Sequence, residues 1–295
     1  MAAGDWPPFA PLPPTYYLLL PTAPMLFDCH THLTDPAFAG DLDAVLARAR
    51  AAGVRWMVTN GTDGPTNRAA LALAATHPEI LPALGIYPVD AVANEVLASG
   101  PTLPWTQAPC DVAAELAFID AHASAAVAIG ECGLDGHWVA THLDRQREVF
   151  AALIDLALRH DRPLIVHSRR AEAEAVEMLL ARGATRVDLH CFSGRFKLAQ
   201  RACAAGFYCS IPATLPHHEL FQKMARDLPL TSLLTETDAP YLAPVRGERN
   251  EPAHVAATVA AIAELRHLPV DEVEATLEAN FCRLFRIDPP PERGR

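Results

Sequence analysis

The stretch PLIVHSRRAEAEAVEMLLARGATRVDL at 163–189 decides the fold class of this chain. It opens with the apolar run Pro163–Val166, continues through a segment of helical period at Glu172–Arg182, and ends in a second apolar run at Arg186–Leu189. A strand, a helix and a second strand in this order form a βαβ unit, in which the two strands are parallel. We therefore predict an α/β protein built on a parallel sheet.

The same alternation extends along the chain from Leu26 onward. Eight units can be counted, which favours a closed (β/α)8 TIM barrel in a single domain over an open doubly wound sheet. The predicted strands are Leu26–Phe27, Arg55–Thr59, Leu81–Ile86, Val127–Gly130, Pro163–Val166, Arg186–Leu189, Phe207–Ile211 and Leu233–Thr235. The predicted helices are Leu42–Ala52, Arg68–Thr76, Val112–Ala121, Arg145–Arg159, Glu172–Arg182, Lys197–Ala204, Glu219–Arg226 and a closing helix within Pro269–Ile287.

The two ends of the chain are expected to lie outside the barrel. Residues 1–24 contain seven prolines, which favour an extended and poorly ordered segment. The barrel is predicted over 25–287, and residues 288–295 form a C-terminal tail. A total of 295 residues suits a barrel of about 250 residues with extensions of this kind.

Composition excludes some classes of protein. A net charge of -11 argues against a broad basic surface that wraps nucleic acid, but it leaves room for a nuclease with a local basic rim. The seven cysteines form no CxxC pair and are odd in number, so we expect reduced thiols in a cytoplasmic enzyme. No apolar run approaches the ~18 residues of a membrane span. We expect a monomer without membrane partners.

Histidines and acids lie at the ends of five predicted strands. These stretches are DCHTH at 28–32, GE at 130–131, HSR at 167–169, HCFSG at 190–194 and ETD at 236–238. Barrel enzymes collect their active sites from the C-terminal ends of different strands, so these side chains are expected to meet at one mouth. Imidazole with carboxylate, and without thiolate, suits Zn, Mn, Fe or Mg in a hydrolytic site. The sequence therefore predicts a metal-dependent hydrolase.

Each of these residues also has a plainer interpretation. One His at a strand end is more often a hydrogen-bonded loop residue, and Asp238 before Pro240 is compatible with simple turn chemistry. Glu131, flanked by Gly130 and Gly133, is compatible with an exposed loop carboxylate. The conjunction of five ligand-type positions at five strand ends favours the metal site. Cys29, Cys132 and Cys191 are expected to be packing residues.

The motifs resemble the TatD family of metal-dependent deoxyribonucleases, which belong to the amidohydrolase-like barrels. The matching stretches are DCHTHL at 28–33, AIGECGLD at 128–135, PLIVHSRRA at 163–171, HCFSG at 190–194 and ETDAPYLAPVRGERNEP at 236–252. The last of these is highly specific, whereas the first alone is weak. The likeness runs from about Leu26 to Phe285, nearly the whole chain.

The resemblance implies two divalent cations, Mg²⁺ or Mn²⁺ in function with Zn²⁺ possible in crystals. One would be held by His30, His32, Glu131 and Asp238, and the other by Glu131, His167 and His190. It also implies hydrolysis of nucleic-acid phosphodiesters by a 3′–5′ DNA exonuclease or a DNA-repair nuclease that uses a metal-bound hydroxide. Glu131 would bridge the ions, and Asp238 is our candidate for orienting or deprotonating the water.

Two departures from the family pattern concern the mouth. The family usually has G-x-H-P after the third strand, where this chain has Gly85-Ile86-Tyr87-Pro88. A phenol with a pKa near ~10 can donate a hydrogen bond to phosphate but is a poor proton carrier near neutrality. Gly136-His137-Trp138 also replaces the aromatic Tyr residues that tend to follow GLD, and we expect His137 at the surface.

Substrate binding is assigned to Arg169, Arg249, Tyr87 and Ser193, with both arginines clamping phosphate. Arg195, Lys197 and Arg246 also follow ligand motifs, and Lys197 is expected to be a solvated rim residue. Trp138 or Tyr241 is a candidate to stack a base, while His217 and His218 are expected away from the mouth. The expected substrate is single-stranded DNA, a 3′ DNA end or an RNA end.

Three alternatives remain open at this point. A phosphotriesterase, lactonase or amidase on the same scaffold often bridges its metals with a carboxylated Lys. Here Glu131 takes the strand-four position, and the two lysines, Lys197 and Lys223, follow strands six and seven. An aminoacyl-tRNA deacylase is a further alternative. A non-catalytic binding protein that kept the barrel is disfavoured, because all the ligand positions are filled.

Overall fold

A computed structural model describes residues 25–99 and 103–288. Eight parallel strands form one sheet in the order β1 to β8, with each strand paired to the next along the chain. They are β1 Leu26–Thr31, β2 Val54–Asn60, β3 Ile80–Leu84, β4 Ala128–Asp135, β5 Leu164–Arg169, β6 Val187–Leu189, β7 Tyr208–Ile211 and β8 Leu233–Thr235. The single-domain (β/α)8 barrel is therefore confirmed. Residues 1–24, predicted to be poorly ordered, and residues 289–295 lie outside the described part.

The barrel closes between its first and last strands. The Thr235 hydroxyl donates to the Phe27 carbonyl at 3.1 Å, and Thr31 forms an isolated parallel bridge with Ala239. Beyond the bridge, the His32 amide donates to the Ala239 carbonyl at 2.7 Å. The segment after β8 is thus held against the end of β1, where two of the predicted ligands lie.

Helices surround the sheet. They are α1 Leu42–Ala51, α2 Gly64–Thr76, α3 Ala93–Ser99, α4 Val112–His122, α5 Leu143–Arg159, α6 Glu172–Ala181, α7 Phe196–Ala204, α8 Glu219–Asp227, α9 Val255–Arg266 and α10 Val270–Phe285. The apolar pattern did not single out α3 or α9. At α2 the prediction began four residues late, because the helix starts with a capping box in which Asp63 and Thr66 each accept from the other's backbone amide.

Three strands extend at least three residues further than the apolar runs that predicted them, and in β5 the extension runs from Val166 to Arg169. β1 continues from Phe27 to Thr31, and β4 continues past Gly130 to Asp135. All residues of β1 and β4 are buried, including the polar ones. Polar side chains therefore end the apolar run before the strand itself ends, because they line an internal site. His30 and Glu131 lie within strands rather than in the loops after them.

The barrel interior is filled from the strands and closed by the last helix. Phe281 of α10 stacks on Phe27 with ring centroids 4.8 Å apart, and the ring centroid of Trp56 lies 6.2 Å from that of Phe281. These rings belong to a buried cluster that draws on seven of the strands and on α10. A larger cluster packs the helices against the outside of the sheet. The aromatic plug seals the end where the strands begin, so the opposite end is left to form a mouth.

Gly133 allows a close approach of β4 and β5. Its φ is +142°, and a Cβ there would lie 1.9 Å from the carbonyl oxygen of His167. Any side chain would force the strands apart at this position. Glu131 and His167 flank this contact, so the glycine helps to bring two predicted ligands together.

Within the described residues, no helix combines the length and the apolar character needed to cross a bilayer.

Candidate active site

The predicted ligands lie in a cavity of about 1350 Å³ at the C-terminal ends of the strands. Its lining includes His32, Glu131, His167, His190 and Asp238. They come from the ends of β1, β4, β5, β6 and β8, which is the arrangement that barrel topology predicts.

The first group of ligand atoms has the dimensions of a cation site. His30 Nε2 lies 3.1 Å from His32 Nε2, 3.5 Å from Glu131 Oε2 and 3.6 Å from Asp238 Oδ1. His32 Nε2 lies 3.4 Å from the same Glu131 oxygen and 3.3 Å from the Asp238 oxygen. A tetrahedral cation with bonds of about 2.1 Å separates its ligand atoms by about 3.4 Å. The residues present therefore fit a divalent ion.

The second group uses the other oxygen of Glu131. His167 Nδ1 lies 3.1 Å from Glu131 Oε1, and these atoms form a compact ligand group with a nitrogen of His190. The two carboxylate oxygens of Glu131 thus face different histidines. His190 stacks on His30 with ring centroids 3.5 Å apart, so the two groups are in contact. The structure contains several His, Asp and Glu clusters able to bind metal, and two of them, His30–His32–Asp238 and Glu131–His167–His190, fall within the two predicted ligand sets.

Asp238 owes its position to a strained turn that is tied down on both sides. Its φ is +58°, in the left-handed region that Asp tolerates better than most residues. Its backbone amide donates to the His30 carbonyl at 2.9 Å. Asn250, fully buried, donates through its side chain to the carbonyls of Thr237 and Leu242 at 2.6 and 3.1 Å. The geometry of this turn is therefore held in part by Asn250 of the RGERNEP stretch.

Two carboxylates that sequence reasoning missed orient the histidines. Asp135 Oδ2 lies 3.0 Å from His167 Nε2, and Glu236 Oε2 lies 2.7 Å from His190 Nδ1. Asp135 and Glu236 are both fully buried. A carboxylate on the far ring nitrogen fixes the orientation of a ligating imidazole and raises its basicity. The signal was present, since both acids lie inside the quoted motifs, but Glu131 and Asp238 were selected from those motifs instead.

Burial and neighbouring charges shift the pKa values of these side chains in opposite directions. Burial lowers the pKa of His30. Burial alone would also lower the pKa of His190, but Glu236 outweighs it and raises the pKa to about 10. Burial tends to raise the pKa of Glu131, yet His167 and His30 hold it well below its ordinary value. Glu131 is therefore an anion at neutral pH, ready to bind a cation.

Of the predicted substrate residues, Arg169, Tyr87 and Ser193 line the cavity. The Arg169 guanidinium lies 5.3 Å from the centre of the Trp138 ring. The Tyr87 hydroxyl lies 3.4 Å from Asp135 Oδ2, and Ser193 donates to Glu172 at 3.1 Å. These three residues can therefore reach a molecule bound beside the ligand groups.

Arg249 was predicted to bind phosphate at the mouth, but it lies outside the cavity lining. Both terminal nitrogens donate to Asp41, at 2.8 and 2.7 Å, and one also donates to the Ala37 carbonyl. The guanidinium lies over the Phe38 ring and is not part of the cavity lining. Its bidentate capacity is used within the protein, so the structure corrects this prediction. Arg249 ties the loop after β8 to the loop before α1.

The other residues predicted near the mouth fall into two groups, those that line the cavity and those that do not. Trp138, Tyr241, His217 and His218 line the cavity, although both histidines were expected away from it. Arg195, Lys197 and Arg246 are exposed and do not line it. His137 is half-buried outside the lining, with its ring 4.7 Å from that of Trp138. Cys29 and Cys132 are buried in the packing clusters as expected, whereas Cys191 also reaches the cavity.

Known proteins are similar to this chain in both sequence and fold. Residues 27–286 match the family model described as TatD related DNase. The chain is 36% identical to the uncharacterized metal-dependent hydrolase YabD of Bacillus subtilis over 272 residues, 90% of this chain and 100% of the relative. It is 35% identical to the human deoxyribonuclease TATDN3 over 265 residues, 88% of this chain and 94% of the relative.

Solved structures agree with these matches. The crystal structure of YJJV, a TatD homologue from Escherichia coli, superposes with a TM-score of 0.77 at 31% identity, covering 89% of this chain and 98% of that one. A phosphotriesterase from Mycobacterium tuberculosis has a TM-score of 0.63 at 17% identity, covering 90% and 94%, and shares the fold alone. Motifs, ligand geometry and comparisons lead to one conclusion: the chain belongs to the TatD family of metal-dependent hydrolases.

Proposed function

We propose that this chain hydrolyses phosphodiester bonds of DNA as a 3′–5′ exonuclease on single strands and 3′ ends, with a role in DNA repair. The observation that carries the proposal is the position of Glu131, whose two oxygens face two separate groups of histidines at 3.1–3.5 Å. Paired cation sites occur in phosphatases and nucleases, where they stabilise the attacking and leaving oxygens, and a shared carboxylate would hold two such sites together. The human relative named a deoxyribonuclease supports DNA as the substrate.

The proposed cofactors are two divalent cations, Mg²⁺ or Mn²⁺, with Zn²⁺ also suited to the donor set. When bound, they supply a Lewis acid that acidifies water and neutralises phosphate charge. His30, His32, Glu131 and Asp238 would hold one, and Glu131, His167 and His190 the other. The buried carboxylates behind His167 and His190 keep both rings turned towards these positions.

Among the acids of the site, Asp238 is the best placed to handle a proton. Its side chain is 14% exposed at the cavity, against 4% for Glu131, and its left-handed backbone is fixed by Asn250. We assign to Asp238 the orientation of the attacking water and the acceptance of its proton. Arg169 would neutralise a non-bridging phosphate oxygen at the cavity wall.

The lysine-bridged alternative receives no support from the site. Glu131 takes the bridging position on β4, whereas Lys197 is exposed on α7 and Lys223 pairs with Asp227 at 2.7 Å on α8. We propose further that the enzyme is a cytoplasmic monomer. All seven cysteines are free thiols, which is typical of a reducing compartment, and one chain supplies the complete ligand set.

The proposal is tested with purified protein on 3′-labelled single-stranded, duplex and abasic DNA and on single-stranded RNA, each with Mg²⁺, Mn²⁺ or Zn²⁺. We expect stepwise shortening of single-stranded DNA from its 3′ end. Asp238→Asn should lower the rate by several orders of magnitude, whereas Asp155→Asn, an exposed partner of Arg182, should match the wild type. Cleavage of RNA alone, or equal activity in Asp238→Asn, would contradict the proposal.

A further inference from the structure

We propose that Trp105 and Trp138 form a subsite that binds the nucleobase of the terminal nucleotide, beside the candidate metal ligands. The inference rests on the proposed function and adds to it the feature of the substrate that the protein recognises. It follows from the shape of one wall of the cavity.

The two indole rings form an aromatic corner. Their centroids lie 5.1 Å apart at an interplanar angle of 82°, so the edge of one ring meets the face of the other. Both line the cavity that contains His167 and Asp238. In a perpendicular pair, ring faces remain free to stack on a planar ligand. Trp105 is 41% exposed, so part of its large apolar surface is left for a ligand to cover.

Trp138 is linked directly to the metal-binding residues. Its backbone amide donates to Asp135 Oδ1 at 2.7 Å, while the other oxygen of Asp135 lies 3.0 Å from His167 Nε2. One carboxylate thus fixes both the aromatic platform and a predicted ligand. Arg169 lies 5.3 Å from the Trp138 ring and also lines the cavity. A phosphate beside His167 would therefore lie next to a place for its own base.

The same wall carries groups that can bind the edge of a base. Gln107 donates through its side-chain amide to Asp90 Oδ1 at 2.6 Å and to the Ala108 carbonyl at 3.3 Å, and its side-chain oxygen accepts from the Trp105 indole at 3.2 Å. Gln107 and Asp90 both line the cavity. An amide oxygen and a carboxyl group of this kind can accept hydrogen bonds from the donors of a nucleobase. Burial raises the pKa of Asp90 to about 7, so near neutrality this carboxyl can donate as well as accept.

The alternative is that the aromatic pair only packs the loop. Trp138 does contact a small apolar cluster around Val89, Val92 and Val139, so part of its role is structural. Trp105 is not a member of that cluster, and its polar contact goes to Gln107 at the cavity wall. Substituting Trp105 therefore tests base binding without removing a member of that apolar cluster.

The test compares two esters that share a leaving group, thymidine 5′-(p-nitrophenyl phosphate) and methyl p-nitrophenyl phosphate. Base–aromatic stacking is strong enough that losing one platform should lower the ratio of their kcat/KM values about 10-fold. We expect this fall in Trp105→Ala, mainly through KM for the thymidine ester, and recovery of most of the ratio in Trp105→Phe. An unchanged ratio in Trp105→Ala, or equal losses on both esters, would overturn the subsite.

A binding measurement separates this proposal from the proposed function. Tryptophan fluorescence is followed while thymidine 5′-monophosphate or 2-deoxyribose 5-phosphate is added to the wild type and to Trp105→Ala. We expect thymidine 5′-monophosphate to bind about 10-fold more tightly than the sugar phosphate, with the difference lost in Trp105→Ala. If the wild type hydrolyses neither ester but shows this difference, the nuclease proposal fails and the subsite stands. Equal binding of the two compounds to the wild type rejects the subsite.

Discussion

Asp135 and His167 are joined by a 3.0 Å contact between Oδ2 and Nε2, and the opposite ring nitrogen of His167 lies 3.1 Å from Glu131. His167 thus lies between two carboxylates, one behind it and one inside the site. The second oxygen of Asp135 accepts from the amides of His137 and Trp138 at 2.8 and 2.7 Å. The buried carboxylate of Asp135 therefore connects the candidate ligand His167 with the loop after β4, which carries Trp138.

Asp135→Asn is expected to weaken metal binding while leaving the fold intact. The amide oxygen of Asn can still accept from the loop, but the negative charge behind His167 is lost. Partners of this kind change metal affinity or activity by about 10–100-fold, and we expect a loss in that range. Calorimetric titration with Mn²⁺ measures it, with Asp155→Asn as the control. Wild-type affinity in Asp135→Asn would show that His167 needs no such partner.

Removing divalent ions with EDTA is expected to abolish hydrolysis and lower the Tm. The ligand nitrogens of His30 and His32 lie 3.1 Å apart, and each lies 3.3–3.6 Å from an oxygen of Glu131 and an oxygen of Asp238; a bound cation favours that folded arrangement. At 100 times its Kd, a cation stabilises by about 2.7 kcal/mol, or roughly 5–10 °C in Tm for a domain of this size.

The matching variant is Glu131→Gln, which should reduce the number of bound ions and flatten the rise of Tm with added Mn²⁺. Calorimetric stoichiometry and thermal unfolding measure both effects. If Glu131→Gln binds the same number of ions as the wild type, Glu131 does not bridge the two sites.

Asn250→Ala and Arg249→Ala are expected to differ, although the residues are neighbours in one motif. Asn250 is fully buried and donates to two carbonyls around Asp238, so its loss should cost about 2–4 kcal/mol and greatly reduce activity. Arg249 is ion-paired with Asp41 near the surface, so its removal should change kcat/KM less than about 3-fold. Urea unfolding and hydrolysis assays measure the two variants. A large loss of activity in a folded Arg249→Ala would restore its role as a phosphate clamp.

The barrel, and the gathering of the candidate ligands at its mouth, could be predicted from the sequence because both depend on local patterns. Alternating apolar runs locate strands, and barrel topology gathers their C-terminal ends whatever the details of packing. His30, Glu131 and Asp238 were expected to meet for this reason, and their role as metal ligands stays a prediction. Asp135 was missed, and Arg249 was assigned to substrate binding, because the contacts of both residues are with partners far along the chain. Arg249 meets Asp41 across 208 positions, and no pattern around either residue indicates the pairing.

Tyr87→His is expected to add an ionisation to the pH profile of the enzyme. Burial, together with the charges of Glu131 and Asp135, raises the pKa of Tyr87 far above its ordinary value, so the phenol stays protonated across the assay range. It can donate a hydrogen bond but cannot carry a proton. An imidazole has an ordinary pKa near ~6.5. Burial would lower this value at position 87, and the nearby carboxylates would raise it.

In Tyr87→His, kcat/KM should therefore change with a new ionisation between about pH 5 and 8. The neutral imidazole forms as the pH rises through that range, so added activity should appear on the alkaline side. Tyr87→Phe serves as the control, because it keeps the ring 4.9 Å from His167 but removes the hydroxyl. Its profile should keep the wild-type shape at a height lower by about 3–10-fold, the loss of one hydrogen bond to phosphate. Superimposable profiles for Tyr87→His and the wild type would show that position 87 takes no part in proton movement.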